Sequence, residues 1–181
     1  MSELTLYSAA TKAVLLQTRE CGRIRDVLKQ RGIGFERWPA QHQLDCDASI
    51  AQILATYKRE IEWTQERGNF PSVDAIRVLP DHPDRESLRQ KFLKEHVHAE
   101  DEVRFFVEGC GLFCLHIGDE VVQVLCETND WISVPAGTRH WFDMGAKPRF
   151  CTLRFFNNPS GWVAEFTGDT IADRYPRLRA S

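Results

Sequence analysis

The chain has 181 residues, 43% of them hydrophobic and 27% charged, with a formal net charge of -3. That length suits one domain that buries a core without disulfide staples, and the mild acidity argues against a protein that lives on nucleic acid or anionic membranes. The longest early aliphatic run, Ala13 to Leu16, is too short for a secretory signal or a membrane span, so a soluble, cytoplasmic protein is expected.

In chain order, Leu4–Tyr7 reads as a short strand. Ile24, Val27 and Leu28 then mark an amphipathic helix with Gly32 as its C-cap. Asp47 is placed to cap a second helix, whose apolar residues Ile50, Ile53, Leu54, Tyr57 and Ile61 recur at helical spacing. Ser72–Leu79 reads as a strand ended by Pro80 and Pro83, and Asp84 opens a third helix through Leu88 and Phe92. From His96 onward, short β-rich runs alternate with turns: Val103–Glu108, Leu112–Ile117, Val121–Cys126, Trp131–Val134, His140–Met144 and Phe150–Phe156. Such punctuation points to a β sandwich or barrel with the helices packed on one side. Cys110, Cys114, Cys126 and Cys151 lie in or beside these apolar runs and read as reduced core thiols.

His96-Val97-His98, with Glu102 beyond, carries the first chemical signal. On an extended strand the two imidazoles share a face about 7 Å apart, and with a nearby carboxylate they suit a divalent first-row metal. The plainer alternative is a pair of exposed edge-strand histidines. Glu100 and Glu102 have the same parity; Glu102 is favoured because Ala99-Glu100-Asp101 reads as a turn and Val103 begins the next strand. The tight turn Pro135-Ala136-Gly137 places His140 at the head of another strand, where a ligand entering a barrel belongs. Three histidines and one carboxylate leave open positions in an octahedral site, which points to catalysis or substrate chelation. His42 and His82 are expected in solvated loops, and His116 in a hydrogen-bonded structural role.

Taken together, His96-Val-His98-Ala-Glu-Asp-Glu102, Gly109 and Pro135-Ala-Gly137-Thr-Arg-His140 resemble the two motifs of the cupin superfamily. Within it, Lys91-Phe92-Leu93-Lys94-Glu95-His96 and the stretch from Glu102-Val103-Arg104-Phe105-Phe106 to Phe113 closely resemble the acireductone dioxygenase family. Leu153-Arg154-Phe155-Phe156 and Gly161-Trp162 continue the match, and Cys110 stands where serine is commoner. The resemblance implies a mainly β fold: a cupin-type β-barrel or jelly roll with several flanking α-helices, mostly from the N-terminal half. Residues 1–181 then form a single cupin domain, with a helical and mixed part over 1–90, the barrel core with the metal site over 91–165, and a loose tail over 166–181. The resemblance further implies a methionine-salvage dioxygenase holding one divalent metal per chain, iron(II) or nickel(II), on His96, His98, Glu102 and His140. Its substrates would be an acireductone and dioxygen, with formate and a keto acid from the iron form and carbon monoxide, formate and methylthiopropionate from the nickel form.

Arg104 lies two residues beyond Glu102, on the same strand face. A divalent ion with three neutral histidines and one carboxylate carries net +1, so the Arg104 guanidinium would balance a doubly deprotonated substrate and donate to its enolate oxygen. Phe142 and Met144 share the parity of His140 and are candidates for an apolar wall. Phe92 and Trp162 join them through the family resemblance. Arg154, a charge between Leu153 and Phe155, is either a second anion-binding group or an ion-pair partner across the barrel. Neither nucleic-acid nor membrane partners are expected, and the chain is expected to be a monomer. The rival readings are another metal-dependent cupin enzyme, an isomerase or a different dioxygenase, and a non-catalytic cupin that binds a small ligand.

Overall fold

The computed structural model describes residues 1–39, 42–158 and 163–179. In order, these residues form β1 (Glu3–Ser8), β2 (Val14–Thr18), α1 (Cys21–Lys29), β3 (Gly34–Arg37), α2 (Ile50–Thr56), α3 (Lys58–Arg67), β4 (Ser72–Val78), α4 (Arg85–Phe92), β5 (His96–Val97), β6 (Glu102–Ile117), β7 (Glu120–Glu127), β8 (Asp130–Val134), β9 (Arg139–Asp143), β10 (Phe150–Phe156) and β11 (Glu165–Phe166), followed by a 3-10 turn over Ile171–Arg174. The fold is mainly β, and all four helices come from the N-terminal half.

β6 organises the strands because it belongs to two layers. Its first half pairs antiparallel with β8 and β10, which are flanked by β3 and β4. Its second half pairs with β7 and β9, and that layer continues through β1 to β2 on one side and through β5 to β11 on the other. The strands make one folded-over sheet that is not closed into a complete barrel. The two strands expected over Val103–Glu108 and Leu112–Ile117 are therefore one strand of 16 residues. The register with β10 shifts at Val107, which is skipped between the pairs Cys151–Glu108 and Thr152–Phe106, and Gly109, two residues on, takes a φ of +66°. A Cβ at Gly109 would stand 1.7 Å from the Arg149 carbonyl oxygen, so this position requires glycine.

Leu4, Phe106, Phe113, Val124, Ile132 and Phe142 from both layers share one buried core, joined by Ile24, Val27 and Leu28 of α1. On the outer face of β10 and β6, Ile53, Tyr57 and Ile61 pack against Phe105, Leu153 and Phe155. Burying each such side chain stabilises the fold by about 1.5–3 kcal/mol. The helix expected across this stretch is two helices that meet at Tyr57. Its cap is Ser49 rather than Asp47: Gln52 N donates to Ser49 Oγ while Ser49 N donates to Gln52 Oε1, a reciprocal box.

Two further expectations are corrected. The first ninety residues supply two strands beyond the expected β1 and β4: β2 and β3 form because the short runs at Val14 and Gly34 find partners that no local pattern reveals. The tail is not loose over its described part. Ile171, Ala172 and Tyr175 are buried against Val121 and Trp141, Gln123 Nε2 donates to the Pro176 oxygen at 2.9 Å, and Leu178 N donates to Asp143 Oδ2 at 2.8 Å.

All six cysteines are free, with Cys21 and Cys46 exposed and Cys114, Cys126 and Cys151 buried. Burial pushes the Cys151 thiol up to about 12 and those of Cys114 and Cys126 well above the ordinary range. A thiol reagent at neutral pH is therefore expected to label Cys21 and Cys46 rapidly in the native protein and the three buried thiols only on unfolding. Mass-spectrometric mapping of labelled sites checks this; fast native labelling of Cys151 would contradict the packing.

Candidate metal centre

The sheet brings the separate histidine motifs together. His96 of β5 pairs with His140 of β9, the one register pair between those strands. The following loops are tied as well: Gly137 N donates to the His98 carbonyl oxygen at 2.9 Å, and Ala136 N donates to Asp101 Oδ1 at 2.9 Å. The turn before His140 is thereby held against the turn after His98. Ring centroids lie 4.4 Å apart for His96 and His140, 5.0 Å for His96 and His98, and 5.1 Å for His98 and His140.

Each ring is oriented by a backbone carbonyl that accepts from its Nδ1: Lys94 for His96 at 2.7 Å, Val163 for His98 at 3.0 Å and Thr138 for His140 at 2.8 Å. A proton held on Nδ1 leaves Nε2 as a lone-pair donor. One potential ligand atom from each of the three lies within 4.8 Å of the others. Glu102 completes the group, with Oε2 2.8 Å from His140 Nε2 and 3.6 Å from His98 Nε2. Both Glu102 Oε2 and His140 Nε2 are buried without a hydrogen-bond partner. A buried carboxylate oxygen facing a buried ring nitrogen at that distance calls for a proton or a cation shared between them. The donor set, imidazole nitrogens with a carboxylate and no thiolate, fits a divalent first-row ion. Glu100, of the same parity, does not join this group and is half-buried in the turn before β6.

Burial pushes His96 down to about 4, helped by the neighbouring His140, and burial likewise lowers His98 against the pull of Glu102. Burial alone would raise Glu102, but Arg104, then His140 and His98, outweigh it and hold the carboxyl well below its usual range. In metal-free protein the unfolded chain therefore binds more protons than the folded chain from about pH 6.5, the ordinary His value, down to about 4. Stability falls as the pH drops through that window, by roughly 1.4 kcal/mol per pH unit for an imidazole that stays neutral in the fold and is protonated in the unfolded chain. Glu102 extends the loss below its ordinary value of 4.5, since a depressed carboxylate contributes only while ionised. Denaturant midpoints measured in chelator between pH 4 and 7 are expected to decline steadily toward acid; a flat profile would contradict the buried, neutral state of these imidazoles.

Arg104 donates through Nε to Glu102 Oε1 at 2.6 Å, and its guanidinium carbon lies 5.1 Å from the Phe142 ring centroid and 5.7 Å from that of Phe113. Strand register sets Arg154 of β10 opposite Arg104 and Asp74 of β4 opposite Arg154. Arg154 donates to both Asp74 oxygens, at 2.8 and 2.6 Å. The ion-pair partner of Arg154 is thus on the neighbouring strand rather than across the barrel, and Arg154 also borders the cavity beside the histidines. That cavity, about 110 Å³, is lined by the three histidines, both arginines and, on its apolar side, Phe92, Phe142 and Phe166. Met144 does not reach it: β9 ends at Asp143, and Met144 packs into the core between the layers. Trp162 lies outside the described residues.

Ala164 and Phe166, which no sequence signal singles out, also line the cavity, as does Lys91 at the head of the stretch that carries the family resemblance. They arrive with α4 and with the segment around β11, whose docking is set by distant contacts. His116 donates to Glu95 Oε1 at 2.7 Å, in the structural role expected of it. His42 and His82 stand apart from the centre. They are not merely solvated, because the His42 ring packs on Tyr57 and His82 Nδ1 accepts from Asp84 N at 3.1 Å.

The model of the ARD/ARD' family matches residues 6–164. An acireductone dioxygenase of Prochlorococcus marinus (strain MIT 9313) is 65% identical over 184 residues, covering 98% of this chain and 100% of that protein. One from Synechococcus sp. (strain WH7803) is 62% identical over 179 residues, covering 99% of each. Among solved structures, an acireductone dioxygenase from Bacillus anthracis with a cadmium ion in its active centre superposes with a TM-score of 0.79 at 27% identity, covering 92% of this chain and 98% of that one.

Proposed function

The chain belongs to the ARD/ARD' family, and from that membership we infer that it is a metal-dependent dioxygenase of methionine salvage acting on the acireductone 1,2-dihydroxy-3-keto-5-methylthiopentene. The observation that carries the reading is the convergence of three carbonyl-oriented imidazoles on Glu102, beside the buried Arg104, in one cavity. His96, His98, Glu102 and His140 would hold one divalent ion, iron(II) or nickel(II), which when bound supplies Lewis acidity and a template for a chelating enediolate.

The protein's own groups do the rest. Glu102 serves two neighbours: Oε2 faces the histidines while Oε1 fixes the Arg104 guanidinium. Held in that way, Arg104 is a preorganised donor to the substrate's enolate oxygen in a water-poor site, where such a donor acts most strongly. Arg154, neutralised by Asp74, adds a second donor at the rim without excess charge. Phe92 and Phe142, 6.3 Å apart between centroids, wall the side that the methylthio chain would take. These rings exclude water from the electron-rich dianion while it meets dioxygen.

With iron the products are formate and 4-methylthio-2-oxobutanoate. With nickel they are carbon monoxide, formate and 3-methylthiopropanoate. Both sets account for every atom of the acireductone and of one dioxygen. We read residues 1–181 as one cupin domain working as a cytoplasmic monomer without nucleic-acid or membrane partners. No helix among the described residues is long and apolar enough to cross a membrane.

The experiment is turnover of the acireductone under air by metal-stripped protein reloaded with iron(II) or with nickel(II), with both product mixtures analysed. Keto acid from the first and carbon monoxide from the second are expected. Metal binding by both forms with only the uncatalysed decay of substrate would overturn the reading.

A further inference from the structure

Two of the four donors, His96 and His98, ride on backbone that the sheet holds weakly. β5 is two residues long and meets β9 at one pair. Its other neighbour, β11, is also two residues long, and both of these are exposed. Pairing this short is marginal by itself, so side chains must fix the strand.

Glu95 immediately precedes His96, and on the extended chain its side chain leaves by the opposite face. It is 1% exposed, and both carboxylate oxygens are engaged. Oε1 accepts from His116 Nδ1 at 2.7 Å, and Oε2 accepts from Thr167 Oγ1 at 2.7 Å. The Glu95 backbone oxygen accepts from Thr167 N at 3.1 Å. His116 stands on β6 opposite Arg139 of β9, and Thr167 directly follows β11. One carboxylate therefore reaches across β9 to β6 and back to the far side of β5. Thr167 Oγ1 in turn accepts from Asp169 N at 3.2 Å, and Asp169 Oδ1 accepts from Ile171 N at 2.8 Å, which joins this clamp to the buried 3-10 turn. A buried carboxylate carries a desolvation penalty that an apolar residue would avoid, so directional hold rather than net stability accounts for it.

We propose that Glu95, clamped between His116 and Thr167, is a positioning residue that sets the depth and rotation of His96 and, along the strand, of His98. The inference rests on the reading that these histidines hold a divalent ion. Nothing in the clamp touches the cavity of the metal centre, so its effect reaches the reaction only through the ligands.

The test reads metal affinity apart from turnover, by competition for cobalt(II) with a chromophoric chelator. The cobalt absorption spectrum and the melting temperature of the metal-free protein are recorded on the same samples. Glu95→Ala is expected to weaken cobalt binding by about 10–100-fold, the usual effect of losing a partner that orients a ligand, and to alter the spectrum. Thr167→Val is expected to show a smaller loss in the same direction, and Thr167→Ser to restore wild-type binding. Arg77→Met, which breaks the Arg77–Glu108 pair (2.8 Å) on β4 and β6, is the control. It is expected to lower the melting temperature with affinity unchanged.

Wild-type cobalt affinity and spectrum in Glu95→Ala would overturn the proposal. Where Glu95→Ala does not fold, the same result in Thr167→Val would overturn it, as would a loss in Thr167→Ser equal to that in Thr167→Val. Failure of the wild-type protein itself to bind cobalt would instead bring down the metal-centre reading, and this inference with it.

Discussion

Glu102→Ala is expected to abolish tight metal binding and also to destabilise the metal-free protein by about 3–5 kcal/mol, the range for breaking a buried ion pair from one side. The second effect comes from Arg104. Its side chain is 7% exposed, its Nε donates to Glu102 at 2.6 Å, and burial already pushes its pKa below the ordinary arginine value. Without the carboxylate, the guanidinium stays buried beside Arg154 with its closest counter-charge gone. For a chain of this length that corresponds to a fall in melting temperature of roughly 6–20 °C. Glu102→Gln is expected to fall between, since the amide oxygen still accepts from Arg104 Nε but brings no charge. Calorimetry in chelator, paired with a metal titration, reads both effects. An unchanged melting temperature in Glu102→Ala would mean that Arg104 is neutralised elsewhere, and would remove the double role given to Glu102.

Arg104→Ala separates binding from chemistry. The four donors remain, and a bound divalent ion would compensate the Glu102 charge that Arg104 otherwise balances, so metal is expected to be retained. Turnover is expected to fall by about 10²–10³-fold, the usual loss of one preorganised donor to a developing oxyanion. Arg104→Lys is expected to rescue little. An ammonium restores the charge but not the planar fork that bonds Glu102 with one edge while leaving other N–H groups to donate. The comparison requires equal metal occupancy, measured on the same preparations. Turnover of Arg104→Ala equal to wild type at matched occupancy would take Arg104 out of the mechanism. Glu100→Ala, altering a half-buried turn residue, is expected to change neither quantity appreciably.

Much of the fold is legible in the sequence because strand periodicity is local. Phe150–Phe156 matches β10 residue for residue, and Ser72–Leu79 and Trp131–Val134 come within one residue of β4 and β8. The interior of β6 is not legible in the same way, because Gly109-Cys110-Gly111 has turn composition yet lies in paired strand that continues on both sides of it. Ser49 and Gln52 carry the capping-box pattern in the sequence, but Asp47 two residues earlier competes with it, and only the observed helix start separates them.

The candidate site divides along the same physical line. The sequence by itself determined that His96 and His98 share a face, that Glu102 and Arg104 follow on one strand face, and that Phe142 projects with His140, because two-residue periodicity is a property of the backbone alone. It also determined the donor chemistry, nitrogen and carboxylate without thiolate. Only the tertiary structure decided that β5 meets β9 at His96 and His140, and that Arg154 pairs with Asp74 while still bordering the cavity. It alone placed Lys91, Phe166 and Glu95 around the centre and buried the C-terminal 3-10 turn. Those outcomes depend on register and docking between segments tens of residues apart, which are settled by burial and charge pairing summed over the whole core rather than by any local pattern.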